Sequence, residues 1–345
     1  MVTQLEQIDQ ALKATPDHHL EFRAKREIIE KILKLRDEKN VLILGHNYME
    51  PLVYQLSGEK ERGDSLALSR AAAKSDKPII LFDGVRFMAE TAKILSPQKK
   101  VLIADLEAGC SLADPFTAED VKEYRKRYPG APVVTYVNSY ADIKAESDYC
   151  CTSSNGLNVV LHAAKQSGGD RVIFFPDSLM GANLQQELES SGIDLIYPGK
   201  YDGNFGRCEV HEKFTPEQLR EIRVQYNIPK GSEEAAILVH WECPPPVLEE
   251  ADYHGSTSQM ARYIADHPKL KRVYLGTECE MAANLALEYP QIDFIRTCSV
   301  HCQHMRKITL EKILYSLEQE VYEVNVSPAI AQRARVAIDR MLEVN

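Results

Sequence analysis

Short apolar runs alternate with longer stretches of helical period along most of the chain, as in parallel α/β units. The runs predict strands at 41–44, 79–82 and 101–104, at 133–137, 172–175 and 195–197, and at 236–239, 273–275 and 294–295. Between them, apolar spacing of about 3.6 residues predicts helices at 65–74, 85–95, 156–166, 257–266 and 280–288. The ends, 7–36 and 309–342, read as amphipathic helices packed outside the sheets.

The nine predicted strands fall into three sets of three that look alike. The first strand of each set ends in a polar motif: His46-Asn47-Tyr48, Tyr136-Val137-Asn138 and His240-Trp241-Glu242. A hydroxyl-rich turn then opens a helix: Gly63-Asp64-Ser65, Cys151-Thr152-Ser153 and Gly255-Ser256-Thr257. The second strands end at Asp83-Gly84, Pro176-Asp177 and Gly276-Thr277-Glu278. Shortly after each third strand comes a cysteine: Cys110, Cys208 and Cys302, spaced 98 (208 − 110) and 94 (302 − 208) residues apart. That period is too long for a solenoid, so the chain reads as three αβα, Rossmann-like domains. Their expected bounds are 1–122, 123–230 and 231–345, with seams near 120–128 and at 226–234, which holds Pro229 and Gly231. Ligands of open parallel sheets sit beyond the carboxyl ends of the strands. Short parallel sheets in pseudo-threefold arrangement would aim all these termini at one central site.

Composition narrows the function. Of 345 residues, 44% are apolar and 27% charged, an ordinary globular balance. A net charge of −10 argues against a nucleic-acid partner. No signal-peptide run and no apolar stretch of membrane-spanning length occurs, so a cytoplasmic location without membrane contact is expected. There, the eight cysteines are not expected to form stable disulfides.

Cys110, Cys208 and Cys302 are too far apart in sequence for zinc-finger or ferredoxin spacing, so tertiary structure must bring them together. Glycines at Gly109 and Gly206 would let the backbone approach a cluster closely. Three thiolates around a cubane cluster leave one iron free to act as a Lewis acid, which suits dehydration or condensation. Zinc with three sulfurs and a water is the competing metal. Cys150, Cys151, Cys243, Cys279 and Cys298 read as buried apolar fillers, with Cys298 the alternative third ligand or a redox neighbour.

His46, Tyr48, His240 and Glu242 follow apolar strands and can face a cleft together, and a His beside a carboxylate suits proton transfer. Trp241 between them can present its backbone alone. Ser65, Ser153, Ser256 and Thr257 read as helix N-caps, whose free N–H groups favour anions. Asp64 reads as a helix N-terminal charge. His211, three residues after Cys208, could bind phosphate or support the metal site.

Read together, Gly45-His46-Asn47-Tyr48, Gly63-Asp64-Ser65, the run from Gly84 to Glu90, Ala108-Gly109-Cys110, Tyr136-Val137-Asn138, Cys151-Thr152-Ser153, Cys208 with His211, and Gly255-Ser256-Thr257 resemble the quinolinate synthase family, in order. The match covers residues 40–312. This resemblance implies three αβα domains around a [4Fe–4S] cluster bound by Cys110, Cys208 and Cys302. It implies condensation of iminosuccinate (iminoaspartate) with dihydroxyacetone phosphate to quinolinate, phosphate and water, a transferase step of NAD biosynthesis. An upstream aspartate oxidase or dehydrogenase would supply iminosuccinate. Substrate-binding positions fall on His46, Ser65, Tyr136, Val137, Asn138, Ser153, His240, Trp241, Glu242 and Thr257, to which local context adds His211 and Ser256. Tyr48 and Glu242 match acid/base positions, and His46 is assigned to the same proton transfers. The family usually has proline where this chain has Trp241, and Thr297-Cys298-Ser299-Val300-His301-Cys302 departs from the tighter cysteine cluster of some members. The following Gln303-His304-Met305 favours Cys302 as third ligand. A different three-domain cluster enzyme or a non-catalytic iron–sulfur sensor are the competing readings. A sensor would carry a DNA-binding or output module, and no such pattern is evident.

Overall fold

The computed structural model describes residues 3–13, 15–203, 205–298 and 300–344. Ala14, within the N-terminal helical stretch, and Ser299, within the last cysteine motif, lie outside the described residues. The strands are β1 (Val41–His46), β2 (Arg62–Gly63), β3 (Ile79–Asp83), β4 (Lys100–Ile103), β5 (Val133–Tyr136), β6 (Tyr149–Cys151), β7 (Arg171–Phe175), β8 (Asp194–Ile196), β9 (Ala235–His240), β10 (Tyr253–Gly255), β11 (Arg272–Gly276) and β12 (Asp293–Ile295). They form three all-parallel, four-stranded sheets with one repeated order: β2-β1-β3-β4, β6-β5-β7-β8 and β10-β9-β11-β12.

All nine predicted strands are present, and each set gains a strand the apolar pattern does not mark. β2, β6 and β10 are two or three residues long and pair only with the end of the neighbouring central strand. They exist because the chain runs alongside that strand before turning into a helix, not because their side chains favour a sheet. β1 and β9, by contrast, are buried at all six positions, as a strand covered on both faces must be. Their first-in-set place and central position put the carboxyl ends of β1, β5 and β9 in the middle of each unit.

Each terminal helical stretch is two helices. Pro16 opens Pro16–Glu38 after Gln4–Leu12, and Pro328 opens Pro328–Glu343 after Leu310–Gln319. Proline fits at a first helical turn, where its missing N–H would have no partner anyway. The charged stretch near 120–128 is largely the helix Ala118–Arg127, closed at its start by a box between Thr117 and Asp120.

The C-terminal helices cover the first two units. Leu310, Ile313 and Leu317 join the core of the β1 sheet. Residues 322–324 then bond antiparallel to β4 through Tyr322 and Val324, covering that edge. Pro328–Glu343 packs on the helix Ala141–Ala145 and on β6, burying Ile338 and Met341, each worth roughly 1.5–3 kcal/mol. Cys150, Cys151 and Cys243 are buried fillers as expected, but Cys279 and Cys298 are joined as a disulfide. The helix after β11 and the loop after β12 bring their Cα atoms to 5.1 Å, inside the range such a bond spans. This removes Cys298 from the candidates for a third metal ligand.

Candidate active site

All three units meet at one cavity of about 660 Å³, its mouth included. It is lined by strand-end residues His46 and Tyr48, Tyr136, Val137 and Asn138, and His240 and Glu242. The helix-opening turns add Ser65, Ser153 and Thr257, and the loops after the last strands add Cys110, Cys208, His211 and Cys302. Trp241 and Ser256 of the predicted set do not line it. Glu242 points inward, so the Trp241 ring turns away and meets His254 edge-on at 4.6 Å, while its carbonyl is held by Asn183. Ser256 spends its side chain as an N-cap, accepting from Gln259 N–H, and bonds Ser154 at 2.8 Å.

The capping expectation needs correction at three positions. Asp64, not Ser65, caps its helix by accepting from Ala67 N–H, and Ser65 is the first helical residue. Ser256, not Thr257, caps the third-unit helix. Ser153 lies in a turn ahead of the helix Gly156–Ser167, a turn closed by Asn155 accepting from Thr152. Ser65, Ser153 and Thr257 thus line the cavity without capping a helix, and Thr257 Oγ1 accepts from Asn47 Nδ2 at 2.9 Å. Ser154 ties the entrances together, donating to Asp64 at 3.0 Å and meeting Ser256.

His46 and His240 occupy equivalent strand ends and are held alike. Each Nδ1 accepts from the backbone N–H two residues on, of Tyr48 at 3.2 Å and Glu242 at 3.3 Å. An accepting Nδ1 leaves the proton on Nε2 of a neutral ring. Burial agrees, pushing His46 down to about 4 and His240 to about 3 against the pull of nearby carboxylates. Among the described residues no lysine or arginine lines the cavity, so an anion there meets neutral N–H and O–H donors beside the carboxyl groups of Asp64 and Glu242.

Glu242 is the hub. Its Oε1 accepts from Tyr136 Oη at 2.6 Å and Asn138 Nδ2 at 3.1 Å, and its Oε2 lies 2.7 Å from His211 Nδ1. Burial opposes its charge, but His211 and His240 with the bonds from His211 and Tyr136 outweigh it and hold the carboxyl below the usual range. His211 Nε2 lies 2.9 Å from Thr277 Oγ1, which lies 2.5 Å from Tyr48 Oη. Burial, then Glu242, keeps the Tyr48 phenol protonated far above its ordinary value. Tyr48, Thr277, His211 and Glu242 therefore form one continuous hydrogen-bonded chain that joins the first and third units through the loop after β8. Sequence patterning noted Thr277 only as a polar strand end. Its place in the chain becomes visible once β11 is set beside β9.

The three cysteines sit in similar turns. N–H groups of Leu112 and Ala113 point at Cys110, that of His211 at Cys208, and those of His304 and Met305 at Cys302. Burial nonetheless pushes all three thiols up, helped by Cys302 at Cys110, by Glu242 and the other two thiols at Cys208, and by Glu278 and Glu209 at Cys302, which rises to about 11, so they ionise only beside a compensating positive charge. They do not all lie within 4.8 Å of one another. Three thiolates on one tetrahedral zinc would be about 3.8 Å apart, from Zn–S bonds of about 2.3 Å. The donor set fits a larger sulfur-bound group better than a single zinc ion. Gly206 serves the fold here rather than the metal: a Cβ on it would lie 2.1 Å from the Pro176 carbonyl oxygen.

The chain matches the family model described as quinolinate synthetase A protein over residues 30–343. It is 46% identical to a quinolinate synthase of Caulobacter vibrioides over 330 residues, covering 95% of this chain and 85% of the relative. It is 45% identical to quinolinate synthase 2 of Mesorhizobium japonicum, covering 94% of each. A quinolinate synthase of Agrobacterium fabrum is 44% identical, covering 94% of this chain and 88% of the relative. Such identity over nearly the whole length, with the three-unit fold beneath it, means that this chain belongs to the quinolinate synthase family.

Proposed function

We propose that the protein is a quinolinate synthase of NAD biosynthesis, condensing iminosuccinate with dihydroxyacetone phosphate and releasing phosphate and two waters. One observation carries the reading: a cysteine from each unit lines a single cavity together with Glu242, His211 and Tyr48, which Thr277, outside the lining, joins into one chain. Cys110, Cys208 and Cys302 would hold a [4Fe–4S] cluster. When bound, that cluster supplies an iron with no protein ligand, a Lewis acid for substrate oxygen or nitrogen.

The side chains do the rest. The Nε2–H groups of His46 and His240, the hydroxyls of Ser65, Ser153 and Thr257, and Asn138 hold the carboxylates of iminosuccinate. The helices opening at Ser65 and Thr257 add N-terminal N–H groups for carboxylate or phosphate. Glu242, ionised, takes protons at Oε2, and Tyr48 gives one from Oη, as tautomerisation and loss of water require. His211 and Thr277 connect the two, so a proton lost at Tyr48 can be replaced from the Glu242 end. Tyr136 fixes the Glu242 carboxylate and, with Asn138, keeps Oε1 occupied, leaving Oε2 for exchange.

The test is anaerobic incubation of the iron-loaded protein with iminosuccinate and dihydroxyacetone phosphate, with quinolinate measured by chromatography. Quinolinate formation dependent on both substrates is the expected result. No quinolinate from fully loaded, folded protein would sink the reading.

A further inference from the structure

Two buried asparagines outside the cavity make the same unusual contact. Asn183, in the helix Ser178–Glu187 of the second unit, gives Nδ2 to the carbonyls of Trp241 at 2.7 Å and Cys243 at 2.8 Å. Asn284, in the helix Cys279–Glu288 of the third unit, gives Nδ2 to the carbonyls of Asn47 at 3.1 Å and Met49 at 2.8 Å. The bracketed residues are Glu242 and Tyr48, the two ends of the hydrogen-bonded chain. Only the amide nitrogen can donate twice, so the carbonyl geometry fixes which way each amide faces. Both asparagines are buried, and in both the Oδ1 is left with no partner among the described residues. An orphaned buried carbonyl is costly, so its recurrence at two equivalent sites points to a shared task.

We propose that Asn183 and Asn284 are positioning residues, each reaching from one unit to clamp the loop that aims Glu242 or Tyr48 of the next. Each clamp pins the peptide on both sides of the acid/base residue, fixing its direction as well as its depth. The loop of the second unit is held differently. Lys144 Nζ donates to the Ser139 carbonyl at 2.7 Å, and Glu90 accepts from Ala141 N–H at 2.8 Å. That loop carries Asn138, a binding group in the proposed function. The asparagine clamp thus occurs at the two loops with acid/base groups.

This inference rests on the proposed roles of Glu242 and Tyr48, and a double-mutant cycle separates the two. Asn183→Ala, Glu242→Gln and the double variant are assayed for kcat and KM as iron-loaded holoenzymes. Asn183→Ala should lower kcat roughly ten- to hundredfold with KM little changed. In the Glu242→Gln background the same substitution should change kcat by less than about twofold, because the residue it aims is already disabled. Multiplying losses, with Glu242→Gln itself impaired, would overturn the clamp and leave the role of Glu242 standing. Full activity of Glu242→Gln would overturn that role and the clamp's purpose with it. Asn284→Ala with Tyr48→Phe forms an independent cycle should Asn183→Ala not fold, with the same two readings.

Discussion

Thr277 is the joint of the chain that links Tyr48 to Glu242, and Thr277→Val removes the joint while nearly keeping its shape. The side chain is 3% exposed, so water has little room to replace the lost hydroxyl. The substitution breaks the contacts to Tyr48 Oη at 2.5 Å and His211 Nε2 at 2.9 Å. Leaving a buried imidazole nitrogen without its partner costs about 1–3 kcal/mol. If that loss is felt in proton transfer, at about 1.4 kcal/mol per tenfold, kcat falls about 5- to 150-fold. KM should stay near that of the parent protein, since Thr277 does not line the cavity. Thr277→Ser restores an oxygen at the same place and should recover most of the rate. The assay is the initial rate of quinolinate formation under anaerobic conditions, with thermal midpoints confirming that each variant is folded. Thr277→Val turning over as fast as the parent across the pH range would refute the relay.

Three further expectations are independent of it. His46 and His240 are pushed down to about 4 and about 3, whereas in the unfolded chain they titrate near 6.5. Their stabilisation is complete above that value and is lost as pH falls, by on the order of 3 kcal/mol for His46 alone. Urea unfolding between pH of about 7 and about 4.5 should show this loss, and a His46→Asn, His240→Asn variant should flatten it. In denaturant, after removal of bound metal, alkylation should label six thiols without reductant and eight after reduction, and eight labelled at once would contradict the Cys279–Cys298 bond. Cys110→Ala, Cys208→Ala and Cys302→Ala should each give colourless, inactive protein, and Cys298→Ala should keep both colour and turnover. An active colourless Cys110→Ala would break the link between cluster and reaction.

The central strands were readable because a strand buried on both faces is nearly continuous in apolar residues, as in Val41 to Leu44 and Ala236 to Val239. Their polar ends were readable for the same reason: His46 and His240 interrupt the run where the strand leaves the core. The edge strands β2, β6 and β10 have no such signal, since two or three residues pair only where a neighbour already exists. The cysteines could be chosen by their recurrence in three sets, which survives without knowledge of distance. What recurrence cannot supply is contact between units. Asn183, Asn284 and Thr277 are ordinary helix or strand-end residues until another unit is placed against them. Cys279 and Cys298 likewise lie 19 residues apart and meet only through the fold of β11, its helix and β12. Trp241 shows the converse limit: its neighbours place it at the site, but a strand end alternates its side chains, and Glu242 takes the inward direction.

In the proposed function three distant thiols jointly hold an iron–sulfur cube at the meeting point of three units. The most direct test is a count of iron and acid-labile sulfide on protein purified and reconstituted without oxygen. About four iron and about four sulfide per chain, lost together in any of the three cysteine variants, is the expected result. One zinc per chain, or iron retained when Cys110, Cys208 and Cys302 are all replaced, would contradict it.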